Sequence, residues 1–216
     1  MYRDLSPAMD VLRAGPIAPH RHRDGYAAIV RAGRYSEAAL EGRFEVRTAM
    51  IVIHPPLQLH TNAIEDEGCA WNVPIAGSGM PAWAAFSGRG AERLARQDRP
   101  PTSEEVCEAL STCSPVDSVP MPDWLADLVS LDFRRFDEAQ AEVSREHAHR
   151  VFKAHFGISP GRWRREKQLQ HAVKRLNDGA ALADIASEAG FADQSHMSRV
   201  CRRELGTTPA RLRAGR

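Results

Sequence analysis

A polar helix face near the end of the chain has the residue types and spacing of a DNA-reading surface. In "GFADQSHMSRVCRREL" (190–205), apolar residues at 197, 200, 201 and 205 recur at helical spacing. Polar residues take the other positions: Gln194, Ser195, His196, Arg199, Arg202 and Arg203. Short polar side chains on the first turns of a helix can reach base edges in a major groove, and arginines further along suit phosphates. The pattern therefore predicts a recognition helix.

An earlier segment, "SREHAHRVFKAHF" (144–156), has the same organisation. Ser144 has the side chain of a helix N-cap, and Ala148, Phe152 and Phe156 share one helical face. The outward positions are mostly charged: Arg145, Glu146, His149, Arg150 and Lys153. The segment predicts a second recognition helix.

The two segments belong to an internal repeat. "RVFKAHFGISPGRWRRE" (150–166) aligns with "RVCRRELGTTPARLRAG" (199–215) at an offset of 49 residues. In both copies a helix should end at glycine, and Ser or Thr before proline should begin the next helix. The 17 residues from Pro160 to Leu176 span about 25 Å as a helix. With the width of two subdomains added, this linker can place both recognition helices in successive major grooves, about 34 Å apart.

Three histidines form another candidate group. His20 and His22 lie two residues apart and would share one strand face, and His60 can join them around a metal ion. Hydrogen-bonded or exposed strand histidines are the simpler interpretation, because a full ligand set is missing from the pattern. We therefore predict no metal and no other cofactor, and keep His20, His22 and His60 as alternative ligands.

Different elements must position these two groups. Short segments rich in branched and aromatic residues, such as "YAAIVRAG" and "TAMIVIH", predict antiparallel strands in the first third, with a tight turn at Glu41–Gly42. Pro55–Pro56 marks a bend, and Thr102 with Glu105 predicts a capped short helix. The predicted fold is α+β with several domains: a small antiparallel β-barrel or sandwich domain at 1–96, a connector with a short helix at 97–122, and an all-α domain at 123–216.

Charge divides the chain in the same way. Residues 1–131 carry 12 Lys+Arg and 17 Asp+Glu, a net of −5, and the remainder carries 17 and 11, a net of +6. A basic second half suits a polyanionic partner.

The four cysteines are scattered, which favours reduced thiols, although Cys107 and Cys113 can be considered as a redox pair. Without an apolar span or signal core, we expect a cytoplasmic, nucleoid-associated protein that does not contact membranes.

Residues from about 124 to 214 resemble the DNA-binding domain of the AraC/XylS family of bacterial transcription regulators. "DIASEAGFADQSHMSRVCRRELGTTPARLR" and "SREHAHRVFKAHFGISPGRW" carry this resemblance. It implies two helix-turn-helix units on a shared linker helix, with recognition residues at the positions named above. Two departures stand out: Cys201 replaces the family's usual aromatic residue, and the turn before Ser144 ("EAQAEVS") lacks glycine.

The N-terminal part resembles, less closely, the small cupin-like sensor domains that precede this module. "APHRHRDGYAAIVRAG" and "VIHPPLQLHTNAI" carry that resemblance, with Tyr26 in the area where the cupin metal pattern has a carboxylate. The combined prediction is a non-enzymatic DNA-binding regulator that binds promoter DNA, with RNA polymerase, a small-molecule effector or a second copy as further partners. Two alternatives remain open: a small metal-dependent cupin enzyme using the three histidines, and a protein-interaction adaptor with a degenerate DNA-binding domain.

Overall fold

The chain forms two compact units in a computed structural model that describes residues 8–75, 82–131 and 143–214. One unit is Met1–Ile158 and the other is Ser159–Arg216. The first unit therefore contains both the strands and the first predicted recognition helix. The division at 96 and 122 into sensor, connector and DNA-binding segments stays a prediction.

The first unit is built on one eight-stranded antiparallel sheet with the order β1-β6-β3-β5-β7-β8, to which β2 adds beside β6 and β4 beside β3. The strands are β1 (Ala8–Leu12), β2 (Gly15–His20), β3 (Tyr26–Ala39), β4 (Gly42–Arg47), β5 (Met50–His54), β6 (His60–Pro74), β7 (Ala84–Gly88) and β8 (Cys113–Val116). The antiparallel sheet confirms the predicted β class. The tight β3–β4 turn is made by Leu40–Glu41, one residue earlier than predicted, and Gly42 already begins β4.

Both faces of the central strands are covered, so the sheet has two apolar layers. Tyr26, Ala28 and Val30 of β3 belong to one layer, while Ala27 and Ile29 belong to the other. Successive strand side chains point to opposite faces, which explains why an almost continuous apolar run is buried here. The second layer is completed by helices α1 (Arg89–Ala95) and α2 (Ser103–Leu110).

The predicted connector contains more regular structure than expected. The predicted capping box is confirmed: the Thr102 hydroxyl accepts from the Glu105 amide, and the Glu105 carboxylate accepts from the Thr102 amide. The prolines after α2 predict an interruption, yet this stretch forms β8, which pairs with β7. Pro115 is tolerated because β8 lies at the end of the strand order and has one neighbour.

Helices follow in the rest of the described chain. The first unit ends with α3 (Asp123–Ser130) and α4 (Arg145–Phe156), the first predicted recognition helix. The second unit contains α5 (Pro160–Arg175), a 3-10 turn (Leu176–Asp178), α6 (Leu182–Glu188), α7 (Gln194–Leu205) and α8 (Pro209–Ala214). This confirms the helical C-terminal part. Among the described residues, the helices lack a stretch long and apolar enough to cross a membrane.

Candidate nucleic-acid interface and histidine cavity

Helices α6 and α7 form the helix-turn-helix that the second motif predicts. Ile185, Ala186 and Ala189 are buried, and Phe191 fills the junction at 5% exposure. The turn passes through Gly190 at φ 77°, a left-handed conformation that glycine adopts without steric cost. The Phe191 amide donates to the Ala186 carbonyl at 2.8 Å, so the turn is tied directly to α6.

The start of α7 is fixed by Asp193. Its carboxylate accepts a hydrogen bond from the His196 amide at 2.6 Å and so caps the helix. Met197, Val200, Cys201 and Leu205 are all buried on the other side of the helix, as predicted. Because one face is anchored in the core, the register of the opposite face is determined.

That opposite face of α7 presents the predicted reading residues. The exposed members are Gln194, Ser195, Arg199, Arg202 and Arg203. His196 is half-buried: its ring packs edge-on against Phe191 at 5.5 Å, and its Nδ1 accepts from the Ala192 amide at 3.4 Å. His196 therefore braces the turn, and its role in DNA contact stays a prediction.

Helix α4 has a similar arrangement in the first unit. Ser144 caps it by accepting from the His147 amide at 3.2 Å, and the predicted inward residues Ala148, Phe152 and Phe156 are buried. The predicted reading residues are all exposed: Arg145, Glu146, His149, Arg150 and Lys153. Arg150 donates to the His147 ring at 3.0 Å along the same face. The glycine-free turn before Ser144 lies largely outside the described residues, which resume at Val143.

The helix ends of the internal repeat agree closely. Gly157 ends α4 at φ 70°, and Gly206 ends α7 at φ 61°. Ser159 then caps α5 through the Arg162 amide, and Thr208 accepts from the Arg211 amide in the equivalent place. The predicted linker helix is confirmed as α5, with Trp163, Leu169 and Ala172 buried.

The three candidate histidines meet in the first unit. Donor atoms of His20, His22 and His60 lie within 4.8 Å of one another. His60 stands opposite His20 in the β2–β6 pairing, and their ring centroids are 4.3 Å apart. Together with Tyr26 and Glu37 they line a cavity of about 50 Å³.

A buried carboxylate lies in the same cavity. Glu37 accepts hydrogen bonds from His54 Nε2 at 2.8 Å, Trp83 Nε1 at 2.7 Å and Asn62 Nδ2 at 2.9 Å. Burial raises the pKa of Glu37, but the neighbouring His54 and His60 and the hydrogen bonds from His54 and Trp83 more than offset that effect and lower the pKa to about 2. Burial and the neighbouring His54 hold the pKa of His60 well below its usual value. The cavity therefore combines a neutral imidazole with a fixed negative charge.

Comparison with known proteins finds similar sequences for the C-terminal part. A family model described as a helix-turn-helix domain matches residues 139–215. Over 67 residues the chain is 39% identical to the HTH-type transcriptional regulator ExsA of Pseudomonas aeruginosa, a segment covering 31% of this chain and 24% of ExsA. Over 97 residues it is 35% identical to the HTH-type transcriptional activator RhaS of Escherichia coli O139:H28, covering 44% of this chain and 34% of RhaS. Residues 139–215 of this chain thus form a helix-turn-helix domain that is similar to the corresponding segments of these transcription regulators.

The aligned segments span about a quarter to a third of these relatives, so the similarity concerns the helix-turn-helix part. Two solved structures are also similar at low TM-scores. The DNA-binding domain of AdpA, in complex with a target DNA, has 27% identity and TM-score 0.38, covering 44% of this chain and 93% of that one. ToxT from Vibrio cholerae has 11% identity and TM-score 0.40, covering 96% and 97%.

Sequence reasoning missed several features of the candidate sites. Glu37 and its partners His54, Trp83 and Asn62 come from four separate places in the sequence, so no local pattern links them. The contact between Arg43 of β4 and Ala154 near the end of α4 is equally non-local. The alternation of residue types in β3 is the signal that could have found Glu37, because a lone glutamate in a buried strand implies an internal partner.

Proposed function

We propose that the chain is a sequence-specific DNA-binding transcription regulator. The observation that carries the proposal is the exposed polar face of α7, whose opposite face is locked into a core by Met197 and Val200. Gln194, Ser195 and Arg199 occupy its first turns, which is where helix-turn-helix proteins contact base edges. Arg202 and Arg203 lie further along, where phosphate contacts are expected.

The first recognition helix would be α4. Arg145, Glu146 and His149 lie on its exposed N-terminal half, and Arg150 and Lys153 extend the basic surface. Its glycine stop and following capped proline match those of α7. We propose that the two helices enter successive major grooves, and that the strand-rich region modulates binding through an effector, a partner or a second copy.

Selection of bound fragments from genomic DNA by the purified protein tests the proposal. A shared sequence motif with two half-sites is expected, with centres one helical turn, about 10.5 base pairs, apart. Recovery of fragments without any shared motif would argue for non-specific binding. Protection of a single half-site would mean that α7 alone reads base sequence and that α4 is not a recognition helix.

Variants of α7 test the residue assignments on the selected site. Gln194→Ala and Arg199→Ala should each weaken binding by roughly 5- to 100-fold, because a bidentate base contact contributes about 1–3 kcal/mol of discrimination. The loss should be smaller on sites altered at the base that each residue reads. Arg47→Ala is the matched control, because Arg47 is an exposed arginine at the end of β4. Unchanged affinity in both α7 variants would contradict the proposed reading face.

Salt dependence separates base contacts from phosphate contacts. Arg202→Ala or Arg203→Ala should weaken binding to all sequences alike and lower the slope of log affinity against log salt by about 1. Gln194→Ala should leave that slope unchanged, because a neutral side chain releases no counterion. If Gln194→Ala lowered the slope and the arginine variants did not, the base-contact role and the phosphate-contact role would have to be exchanged.

A further inference from the structure

We propose that His147 and His196 are positioning residues of the two candidate recognition helices. They occupy equivalent places in the repeat, which has an offset of 49 residues. Each is the third residue of its helix, and each is half-buried. Through a neutral imidazole, His147 holds the side chain of Arg150 and His196 holds the turn before α7. This role rests on the proposed DNA-binding function.

The partners of the two rings determine which ring nitrogen carries the proton. Arg150 Nη2 lies 3.0 Å from His147 Nδ1, and the Ala192 amide nitrogen lies 3.4 Å from His196 Nδ1. A guanidinium and a backbone N–H can only donate, so Nδ1 is the acceptor in both residues and the proton is on Nε2. Both side chains therefore supply a hydrogen-bond acceptor that has no charge.

In α4, His147 holds the side chain of Arg150 on the exposed face. The position of His147 is itself fixed, because its amide donates to the Ser144 hydroxyl at 3.2 Å and its ring centroid lies 6.0 Å from that of Trp124 in α3. The bond to His147 uses one of the N–H donors of the guanidinium, so the others stay available for DNA. Ordering a long side chain before binding lowers the entropy cost of the complex. Arg150 is therefore prepared for contact in the free protein.

In α7, the equivalent histidine holds the turn that precedes the helix. The His196 amide donates to the Asp193 carboxylate at 2.6 Å, while the His196 ring accepts from the Ala192 amide. The two bonds run in opposite directions between the start of the helix and its third residue, as in a capping box displaced by one position. The ring also packs edge-on against Phe191 at 5.5 Å. These contacts fix the direction in which the first turn of α7 leaves the turn.

A carboxylate has the corresponding place in a helix outside the candidate interface. In α2 the third helical residue is Glu105, which accepts from the Thr102 amide at 2.8 Å. A glutamate at the third position of α4 or α7 would accept a hydrogen bond in the same way, but its charge would repel DNA phosphates. Glu146 and Asp193 already place one negative charge at the start of each helix. A neutral acceptor at this position therefore suits a surface that meets a polyanion.

Glutamine and glutamate variants separate the acceptor from its charge. His147→Gln and His196→Gln keep a neutral acceptor and should stay within about threefold of wild-type affinity for the selected DNA site. His147→Glu and His196→Glu should leave the urea unfolding curve in place but weaken binding roughly 10-fold, because a negative charge is added beside the phosphates. His147→Glu should also lower the salt slope by about 1, since the new carboxylate pairs with Arg150.

His171→Glu is the matched control, because it adds the same charge at an exposed histidine of α5, and it should change affinity by less than about threefold. Glutamate variants that bind DNA as well as the glutamine variants overturn the need for a neutral acceptor. Glutamine variants that fold but lose as much affinity as the glutamate variants overturn the positioning role.

A double-mutant cycle tests whether His147 acts through Arg150. His147→Leu should weaken binding roughly 3- to 10-fold, which is the usual cost of ordering one long side chain at an interface. In an Arg150→Ala background the same change should have little further effect, because the group that His147 holds is already gone. Equal losses in the two backgrounds overturn the role of His147.

Hydrogen exchange in the full chain without DNA tests His196 independently of the proposed function. The Ala192 amide should exchange roughly 10-fold faster in His196→Leu and stay protected in His196→Gln. Unchanged exchange in a folded His196→Leu variant overturns the bond from the turn to the ring. A wild-type chain with the expected exchange that selects no DNA sequence contradicts the proposed function instead.

Discussion

Gly157, which ends the first candidate recognition helix, lies directly against Thr61, which follows the candidate ligand His60. A Cβ placed on Gly157 would lie 1.9 Å from Thr61 Cγ2, and Gly157 has φ 70°. The glycine thus serves two purposes, since it stops α4 and allows that helix to approach the sheet. Gly206 has the same conformation at the end of α7.

Gly157→Ala should destabilise the first unit by roughly 2–4 kcal/mol, because left-handed strain and overpacking add together. Urea unfolding measures the loss. Gly179→Ala is the matched control: Gly179 has φ 74° but a Cβ placed on it would meet nothing within 4 Å, so about 1 kcal/mol is expected. Adding Thr61→Ser to Gly157→Ala should restore part of the stability while keeping the bond from Thr61 Oγ1 to the Ile17 carbonyl. Equal losses at both glycines would contradict the close approach.

Glu37→Gln should cost about 3 kcal/mol of unfolding free energy, since it replaces a buried acceptor by a group that also donates. The three donors from His54, Trp83 and Asn62 need two acceptor oxygens, and glutamine supplies one. Glu67→Gln, which changes an exposed residue of β6, is the control and should leave the unfolding free energy unchanged. A neutral result for Glu37→Gln would show that the cavity satisfies an amide equally well.

His155 should make stability depend on pH. It is buried beside Gly42 and Ser118 and packs edge-on against Phe156, and burial together with the nearby Arg43 lowers its pKa. The unfolded chain then binds a proton more readily, so the contribution of neutral His155 is full above the unfolded pKa of about 6.5 and is lost as the pH falls below it.

Unfolding free energy measured in EDTA from pH 7.5 to 5 checks this sign. His155→Gln should flatten the decline relative to wild type. His149→Gln, on the exposed face of the same helix, should retain it. A steeper decline in His155→Gln would assign the pH dependence to other groups.

Cys201 should be unreactive in the folded protein. Its side chain is 1% exposed, and burial raises its pKa to about 11. A disulfide reagent at pH 8 should modify the exposed Cys107 quickly and reach Cys201 only after urea is added. Cys107→Ser should remove the fast phase. Loss of a fast-reacting thiol in Cys201→Ser would mean that the α7 core opens readily.

Features with short-range causes were predictable from the sequence. The caps at Thr102, Ser144 and Asp193 and the glycine stops of the repeat each depend on residues within a few positions, and each is present. The helical periodicity of α7 likewise predicted its buried residues. The DNA-contact roles of the outward residues do not follow from such local patterns, because the exposure of a side chain does not identify its partner.

Features made by distant residues were not predictable. Proline has no backbone N–H and is rare inside strands, yet the stretch that contains Pro115 forms β8 because β7 provides a partner for it. That pairing joins Ser87 to Ser114, 27 residues later in the chain. Glu37 gathers donors 17, 25 and 46 residues away. The group of His20, His22 and His60 was predictable in part. The spacing of His20 and His22 is visible in the sequence, but the closeness of His60 to His20 depends on the β2–β6 register.

The alternation of residues 37 and 38 has a consequence for how such a protein can diversify. Glu37 lines the cavity, and its neighbour Ala38 lies under the end of α4. Because different side chains serve the two sides of the sheet, an evolving lineage can replace the cavity lining one residue at a time and keep the surface that meets α4.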